Sequence, residues 1–269
     1  MPAILIATFA GAASAFAFAP VGLWPVMPLA IAALCELVWR ARSLRQSLAT
    51  GWAFGVGQFA IGLNWIATAF TYQAAMPAWL GWIAVVLLSL YLAIYPAIAT
   101  GLAWRFKGNR PLALVLSLAG AWALAEWLRG TMFTGFPWNP LGATLDDTPW
   151  LRVAPYLGTY SLSLLVVLAG GAIWLIASRR WQAGVAIAAA LGLLLLLPPV
   201  GVPGPCCTTL LGVSDKPPTQ APAPPLPGRA PPAAQGLRLP EQPWGRPIRV
   251  VQPNIGQEDK WRPGFSDEA

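Results

Sequence analysis

Glu126 and Arg129 stand three residues apart in Glu126-Trp127-Leu128-Arg129-Gly130, a spacing that puts both on one face of a helix. Two readings fit an acid and a base inside an apolar run. They form an internal ion pair near a membrane surface, or they are functional, which is the default for an ionisable group at membrane depth. Directly after them runs Thr134-Gly135-Phe136-Pro137-Trp138-Asn139-Pro140-Leu141-Gly142. It is aromatic and apolar, yet broken by Pro and Gly, so it cannot cross lipid as a helix with its backbone groups paired. It is either a Trp-anchored interfacial loop or one wall of a cleft that takes lipid. Gln58 and Asn64 are polar groups in another apolar run, where their ordinary role is hydrogen bonding between helices. Glu36 stands close enough to the end of its run to reach the headgroups. The chain has no His, which excludes Ser-His-Asp and Cys-His catalysis and His-ligated zinc within this polypeptide. Its three cysteines, Cys35, Cys206 and Cys207, form no CxxC pair. No metal or other cofactor is expected.

The elements that must position these groups follow from composition. Hydrophobic residues make up 57% of the 269 and charged residues only 10%, against roughly 25% charged in a soluble domain. So few charges cannot cover a soluble surface, and the 15 Trp suit a membrane interface. The expected fold is an all-α polytopic membrane bundle of about seven helices. Its apolar runs are Ala3–Ala19, Val21–Trp39, Gly51–Phe70, Ala78–Trp104, Leu112–Leu128, Tyr160–Ala177 and Trp181–Leu197, each of roughly spanning length. Pro25 and Pro28 predict a later start for the second run, and Pro96 a bend in the fourth. The first run ends in small residues like a signal peptide. With no Lys or Arg before Arg40, it lacks the basic leader such a peptide needs and reads as a retained span.

Basic residues orient the bundle. Arg40, Arg42 and Arg45 follow the second run, Arg105, Lys107 and Arg110 the fourth, and Arg179 and Arg180 the sixth. These eight fall on one side, while the opposite connections hold only Arg129 and Arg152. The eight-residue side is expected to be cytoplasmic, with the N-terminus on it and everything after residue 199 outside, in the periplasm of a bacterium. The net charge of +7 is spread through loops and tail rather than gathered on one face, so no nucleic-acid partner is expected.

The domain reading is a transmembrane bundle over 1–199, a Pro-rich spacer over 200–245 and the opening of a further domain over 246–269. Residues 198–232 hold 12 prolines in 35 positions, which suits an extended or disordered spacer. Cys206-Cys207 sits at its start, and adjacent cysteines pair poorly because the ring they close is strained. Arg246-Pro247-Ile248-Arg249-Val250-Val251-Gln252-Pro253-Asn254 reads as a β-strand ended by Pro253 and Asn254. One strand cannot bury a core.

Several segments, in order along the chain, resemble the apolipoprotein N-acyltransferases of bacterial inner membranes. Phe16-Ala17-Phe18-Ala19-Pro20 with Trp24-Pro25 resembles the family's first hairpin, and Gly62-Leu63-Asn64-Trp65 its third span. Glu126-Trp127-Leu128-Arg129-Gly130 with Thr134-Gly135-Phe136-Pro137-Trp138 is the most specific piece. Val251-Gln252-Pro253-Asn254-Ile255 with Gln257 and Lys260-Trp261 resembles the first strand and turn of the periplasmic nitrilase-like α/β domain. The resemblance covers about residues 1–200 and 246–263; the spacer has no counterpart.

The resemblance implies transfer of an acyl chain from a phospholipid donor to the N-terminal amine of a diacylglyceryl-cysteine lipoprotein. It implies a nitrilase-like triad: a Cys nucleophile that carries the acyl group, a Glu general base and a Lys that stabilises the oxyanion. In the family those three lie further along the nitrilase-like domain than residue 269. Glu258, Lys260, Cys206 and Cys207 do not match them, so this polypeptide alone is expected to be inactive. Its expected contribution is the lipid-facing part: Phe136, Trp138 and Asn139 shaping an acyl cleft, with Glu126 and Arg129 beside it and Trp261 near the reacting groups. Two other readings stand beside it. One is a degenerate, non-enzymatic lipid-binding membrane protein. The other is a transporter, against which stand the lack of an internal repeat and the scarcity of midplane charges.

Overall fold

A computed structural model describes residues 2–71, 77–133 and 135–197. The expected spacer, the expected strand, Cys206, Cys207 and Trp261 lie outside the described residues. Ten α-helices appear among those described: α1 (Pro2–Ser14), α2 (Val26–Arg40), α3 (Leu44–Gly62), α4 (Asn64–Thr71), α5 (Ala78–Leu92), α6 (Ile94–Phe106), α7 (Pro111–Thr131), α8 (Ala154–Leu157), α9 (Thr159–Ala177) and α10 (Trp181–Leu194). Short 3₁₀ turns occupy Ala15–Ala17, Leu141–Leu145 and Pro149–Val153. No strand occurs among the described residues. Four continuous stretches are long and apolar enough to cross a membrane: Leu44–Thr71, Trp79–Phe106, Pro111–Thr131 and Thr159–Ala177. The helices of the first two runs and of the last are shorter, and α2 begins at Val26, where Pro25 and Pro28 fit a helix start.

Two of the long stretches are broken. The run Leu44–Thr71 divides at Leu63, and Trp79–Phe106 divides at Ala93. The second break has a local cause in Pro96. Its missing N–H and its ring disturb the helix one turn upstream, so the break falls three residues before the proline. The Trp52 indole donates to Leu90 O at 3.1 Å, near the end of α5 where helical carbonyls lose their partners. The first break is closed from outside. Asn139 Nδ2 donates to Gly62 O at 3.1 Å, at the C-terminus of α3.

The core is built from the inward stripes of the longer helices. On α2 it is Met27, Ile31, Leu34, Cys35 and Val38, a helical period facing inward. Phe54 of α3, Leu63 just after it, Leu92 of α5, Leu114 and Leu118 of α7, Leu141 of the loop and Leu175 of α9 complete it. In lipid there is no hydrophobic drive between helices, so backbones approach over small residues and polar pairs add hydrogen bonds. Helices α1 and α3 meet this way. A Cβ on Gly11 would stand 1.9 Å from Phe54 O, and one on Gly57 2.1 Å from Thr8 O. Between α3 and α6, Ser47 Oγ donates to Thr100 O at 2.9 Å and Thr100 Oγ1 donates back to Ser47 O at 3.0 Å.

The three basic connections meet at one end of the bundle. Lys107 Nζ donates to Trp39 O at 2.7 Å and Val38 O at 3.2 Å, so a cation caps the C-terminal carbonyls of α2. It lies over the rings of Trp39 and Trp104, and Arg180 lies over Trp39 at 5.0 Å. Partial burial pulls the Lys107 ammonium below the usual lysine range. Glu36 bonds with one oxygen to Arg40 Nε and with the other to the Trp174 indole, the latter at 2.7 Å.

Candidate functional site

The end of α7 and the loop after it form the opposite, polar heart of the bundle. Glu126 and Arg129 both project inward and both are buried. They do not bond each other: among the described residues the one ion pair is Arg40–Glu36. Each instead takes hold of the loop. Glu126 Oε1 accepts from the Leu141 amide at 2.9 Å and from the Trp122 indole at 3.1 Å. Arg129 Nη1 donates to Trp138 O at 2.7 Å, and the Arg129 carbonyl accepts from Phe136 N at 2.8 Å. The guanidinium lies 5.2 Å above the Phe59 ring. The acid and the base are thus two clamps on one loop, which explains how an irregular aromatic segment can sit among helices with its backbone groups satisfied.

Other contacts fix the loop's path. Gly142 N donates to Ser163 Oγ on α9 at 2.8 Å. Asn139 adopts a left-handed backbone at φ 52°, which Asn tolerates, and from there its amide reaches Gly62. Gly135 turns the chain at φ 75° against Gly130, where an added Cβ would stand 2.4 Å from Gly130 O. Trp138 leaves this polar heart and packs its ring 5.5 Å from Trp65 of α4, with more than half its surface exposed.

Beside the clamp opens a cavity of about 360 Å³. Its walls are Leu88, Tyr91 and Leu92 of α5, Tyr95 of α6, Arg129 of α7, and Met132, Phe133, Gly135 and Phe136 of the loop. The Ala93 break runs through its wall, since the residues on either side of it line the space. Arg129 is the cation of an otherwise apolar and aromatic lining. The hydroxyls of Tyr91 and Tyr95 stand 3.4 Å apart, and the Tyr91 ring packs on Phe133 at 6.3 Å. Such a space can take an apolar chain along its walls and a polar or anionic group against the guanidinium.

Of the residues singled out in the sequence, Arg129 and Phe136 therefore line this cavity. Glu126 and Asn139 stand behind it, Trp138 faces outward, and Trp261 lies outside the described residues. Gln58 is buried beside Glu126, whereas Asn64 starts α4 and is exposed. Sequence reading passed over Tyr91, Tyr95 and Phe133. The available signal is a pair of phenols four residues apart in a run with no other tyrosine. No cluster of three or more His, Cys, Asp or Glu that could hold a metal occurs among the described residues.

Fold and site together define a polytopic helical membrane protein with an aromatic cleft under one arginine. Comparison with known proteins gives the family. The apolipoprotein N-acyltransferase N-terminal domain matches residues 10–172, and the chain belongs to that family. The apolipoprotein N-acyltransferase of Chromobacterium violaceum is 39% identical over 191 residues, covering 70% of this chain and 37% of the relative. That of Nitrosomonas europaea is 42% identical over 175 residues, covering 64% and 34%. That of Shewanella oneidensis is 30% identical over 270 residues, covering 97% and 44%. The chain thus spans between about a third and a half of the length of the curated relatives it matches.

Proposed function

We propose that this chain is the membrane half of an apolipoprotein N-acyltransferase and that the cavity under Arg129 holds the acyl donor. The donor is a phospholipid, its chain lying along Leu88, Tyr91 and Phe136 and its anionic head drawn to the guanidinium. The acceptor is a diacylated lipoprotein whose N-terminal amine takes the acyl group in a nitrilase-like half that supplies Cys, Glu and Lys. Trp261 belongs to that half, and Trp138 to the aromatic rim around the cleft. The observation that carries the reading is the buried Arg129 at the head of an apolar cavity of about 360 Å³. A buried cation there is costly in lipid unless it serves an anionic partner or holds structure, and the guanidinium has N–H groups beyond the Nη1 spent on Trp138 O.

The bundle has seven spans in this reading, with α3–α4 forming one and α5–α6 another. It sits in a bacterial inner membrane. The basic end is cytoplasmic, and the loop, the cleft and everything after residue 199 are periplasmic. That placement brings the cleft to the compartment where lipoprotein N-termini are exposed. Residues 200–245 form the spacer and 246–269 open the nitrilase-like domain.

The test uses a phospholipid with a photoactivatable acyl chain, reconstituted with the full chain in vesicles. Crosslinks are expected on peptides containing Tyr91, Phe133 and Phe136, and they should fall sharply in Arg129→Met. Crosslinks spread evenly over the outward faces of α5 and α10, unaffected by Arg129→Met, would overturn the reading. The non-enzymatic alternative, a lipid-binding bundle, predicts the same crosslinks. It separates from the acyltransferase reading in a second measurement: acyl transfer when the chain is supplied with a nitrilase-like half from a relative.

A further inference from the structure

A second, much smaller cavity of about 10 Å³ lies behind the first, and its lining includes Gln58 of α3, Tyr95 of α6 and Trp122, Glu126 and Arg129 of α7. Gln58 is 2% exposed and Glu126 5% exposed. Both carry a buried oxygen, Gln58 Oε1 and Glu126 Oε2, that has no hydrogen-bond partner. Two orphaned acceptors lining one small space are expensive in the interior of a membrane bundle, where no bulk solvent can meet them. The volume open to the centre of a water molecule is close to the minimum that one water needs, roughly 10–15 Å³.

We propose that this cavity is the binding site of a single structural water, which donates one hydrogen to Gln58 Oε1 and the other to Glu126 Oε2. Arg129 lines the same space with guanidinium N–H groups beyond the one spent on Trp138 O, and these offer the water oxygen a donor. That gives the water three polar partners, the usual number for a buried site. The Ser163 hydroxyl stands close to the Glu126 carboxylate but leaves Oε2 without a hydrogen bond, and nothing reaches Gln58 Oε1. An alkali ion is a poorer occupant, because the guanidinium would repel it. The water joins α3 to α7, and through Glu126 it joins both to Leu141 of the loop. Tyr95 and Arg129 line both cavities, so the water braces from behind the wall that the larger cavity uses from in front.

The experiment is magic-angle-spinning NMR on the full chain in bilayers, with ¹⁵N-labelled tryptophan indoles and magnetisation transferred from water. The Trp122 resonance is identified by its loss in Trp122→Phe. Trp122 lines the site, so its indole should receive transfer from water despite its burial. That transfer should be lost in Gln58→Leu, while the exposed Trp24 keeps its own. Gln58→Met serves where Gln58→Leu does not fold. Wild-type Trp122 receiving no transfer when Trp24 does would overturn the proposal, and so would transfer that persists unchanged in either Gln58 variant.

Discussion

The two ends of the bundle are built from the same residue types and come out differently. At the basic end, Glu36, Arg40, Lys107 and Arg180 gather around Trp39, Trp104 and Trp174. At the loop end, Glu126 and Arg129 gather around Trp122 and Trp138. Both oxygens of Glu36 are bonded, and its Arg40 partner is largely exposed. Lys107 spends its charge on helix carbonyls and indole faces. Glu126 is buried with one oxygen bonded twice and the other not at all, and Arg129 is buried facing a cavity. One end has its charges met and opens to solvent, which suits an anchor. The other is buried and has polar atoms left over after the loop is held, which suits a site, since such groups in a low-dielectric interior are where a bound molecule gains most.

The comparison can be broken by exchanging what each acid does. Glu126→Ala removes the acceptor of the Leu141 amide and the Trp122 indole at once. It should cost on the order of 2–5 kcal/mol in a detergent-unfolding titration, from two buried donors left unmet. Glu36→Ala should cost about 1–2 kcal/mol in the same titration, because its Arg40 partner is solvated and only one buried donor, the Trp174 indole, is left unmet. Equal losses would erase the distinction between anchor and site. The next largest effect is expected from Arg129→Lys, which keeps the charge but loses the planar fork that bonds Trp138 O and stacks on Phe59. It should cost roughly 1.5–3 kcal/mol and lower lipid crosslinking at Phe136, whereas Arg180→Lys should leave both readouts near wild type. Lys107→Met should cost about 0.3–1 kcal/mol, the worth of a cation at a helix C-terminus, with no change in crosslinking. The smallest effect sharpens the contrast by salt. Near 1 M salt, where the screening length is about 3 Å, the Arg40 share of the Glu36→Ala cost should vanish while the Glu126→Ala cost stays.

Much of this molecule was legible in its residues, for reasons that can be located. The long apolar runs have to be helices, because no other single-chain segment pairs its own backbone in lipid. The prolines marked the late start of α2 and the bend near residue 96. Glu126 and Arg129 stood out because charge at that depth is rare. What the residues hid was direction. The spacing of Glu126 and Arg129 suits an ion pair, yet each turns to a loop that comes back between helices. That return depends on Gly135, Asn139 and the Ser163 hydroxyl acting over a distance. Trp138 and Phe136 are two residues apart and point to different environments, one to Trp65 and one to the cavity, which no periodicity predicts in an irregular segment. Tyr91 and Tyr95 share a helical face by their spacing of four, but nothing in an apolar run says that this face meets the loop.

The tight seam between α1 and α3 bears on how the protein is made. Pro2–Ala17 reaches only about 24 Å at 1.5 Å per residue, short of a hydrocarbon core about 30 Å thick. Such a segment is held poorly by the bilayer alone. What secures it is backbone against backbone at Gly11 and Gly57, and Gly57 leaves the ribosome after α1 does. The first helix is therefore expected to depend on the third for its place. A side chain at either glycine would act during biogenesis, leaving the N-terminal segment undocked and open to quality-control proteolysis.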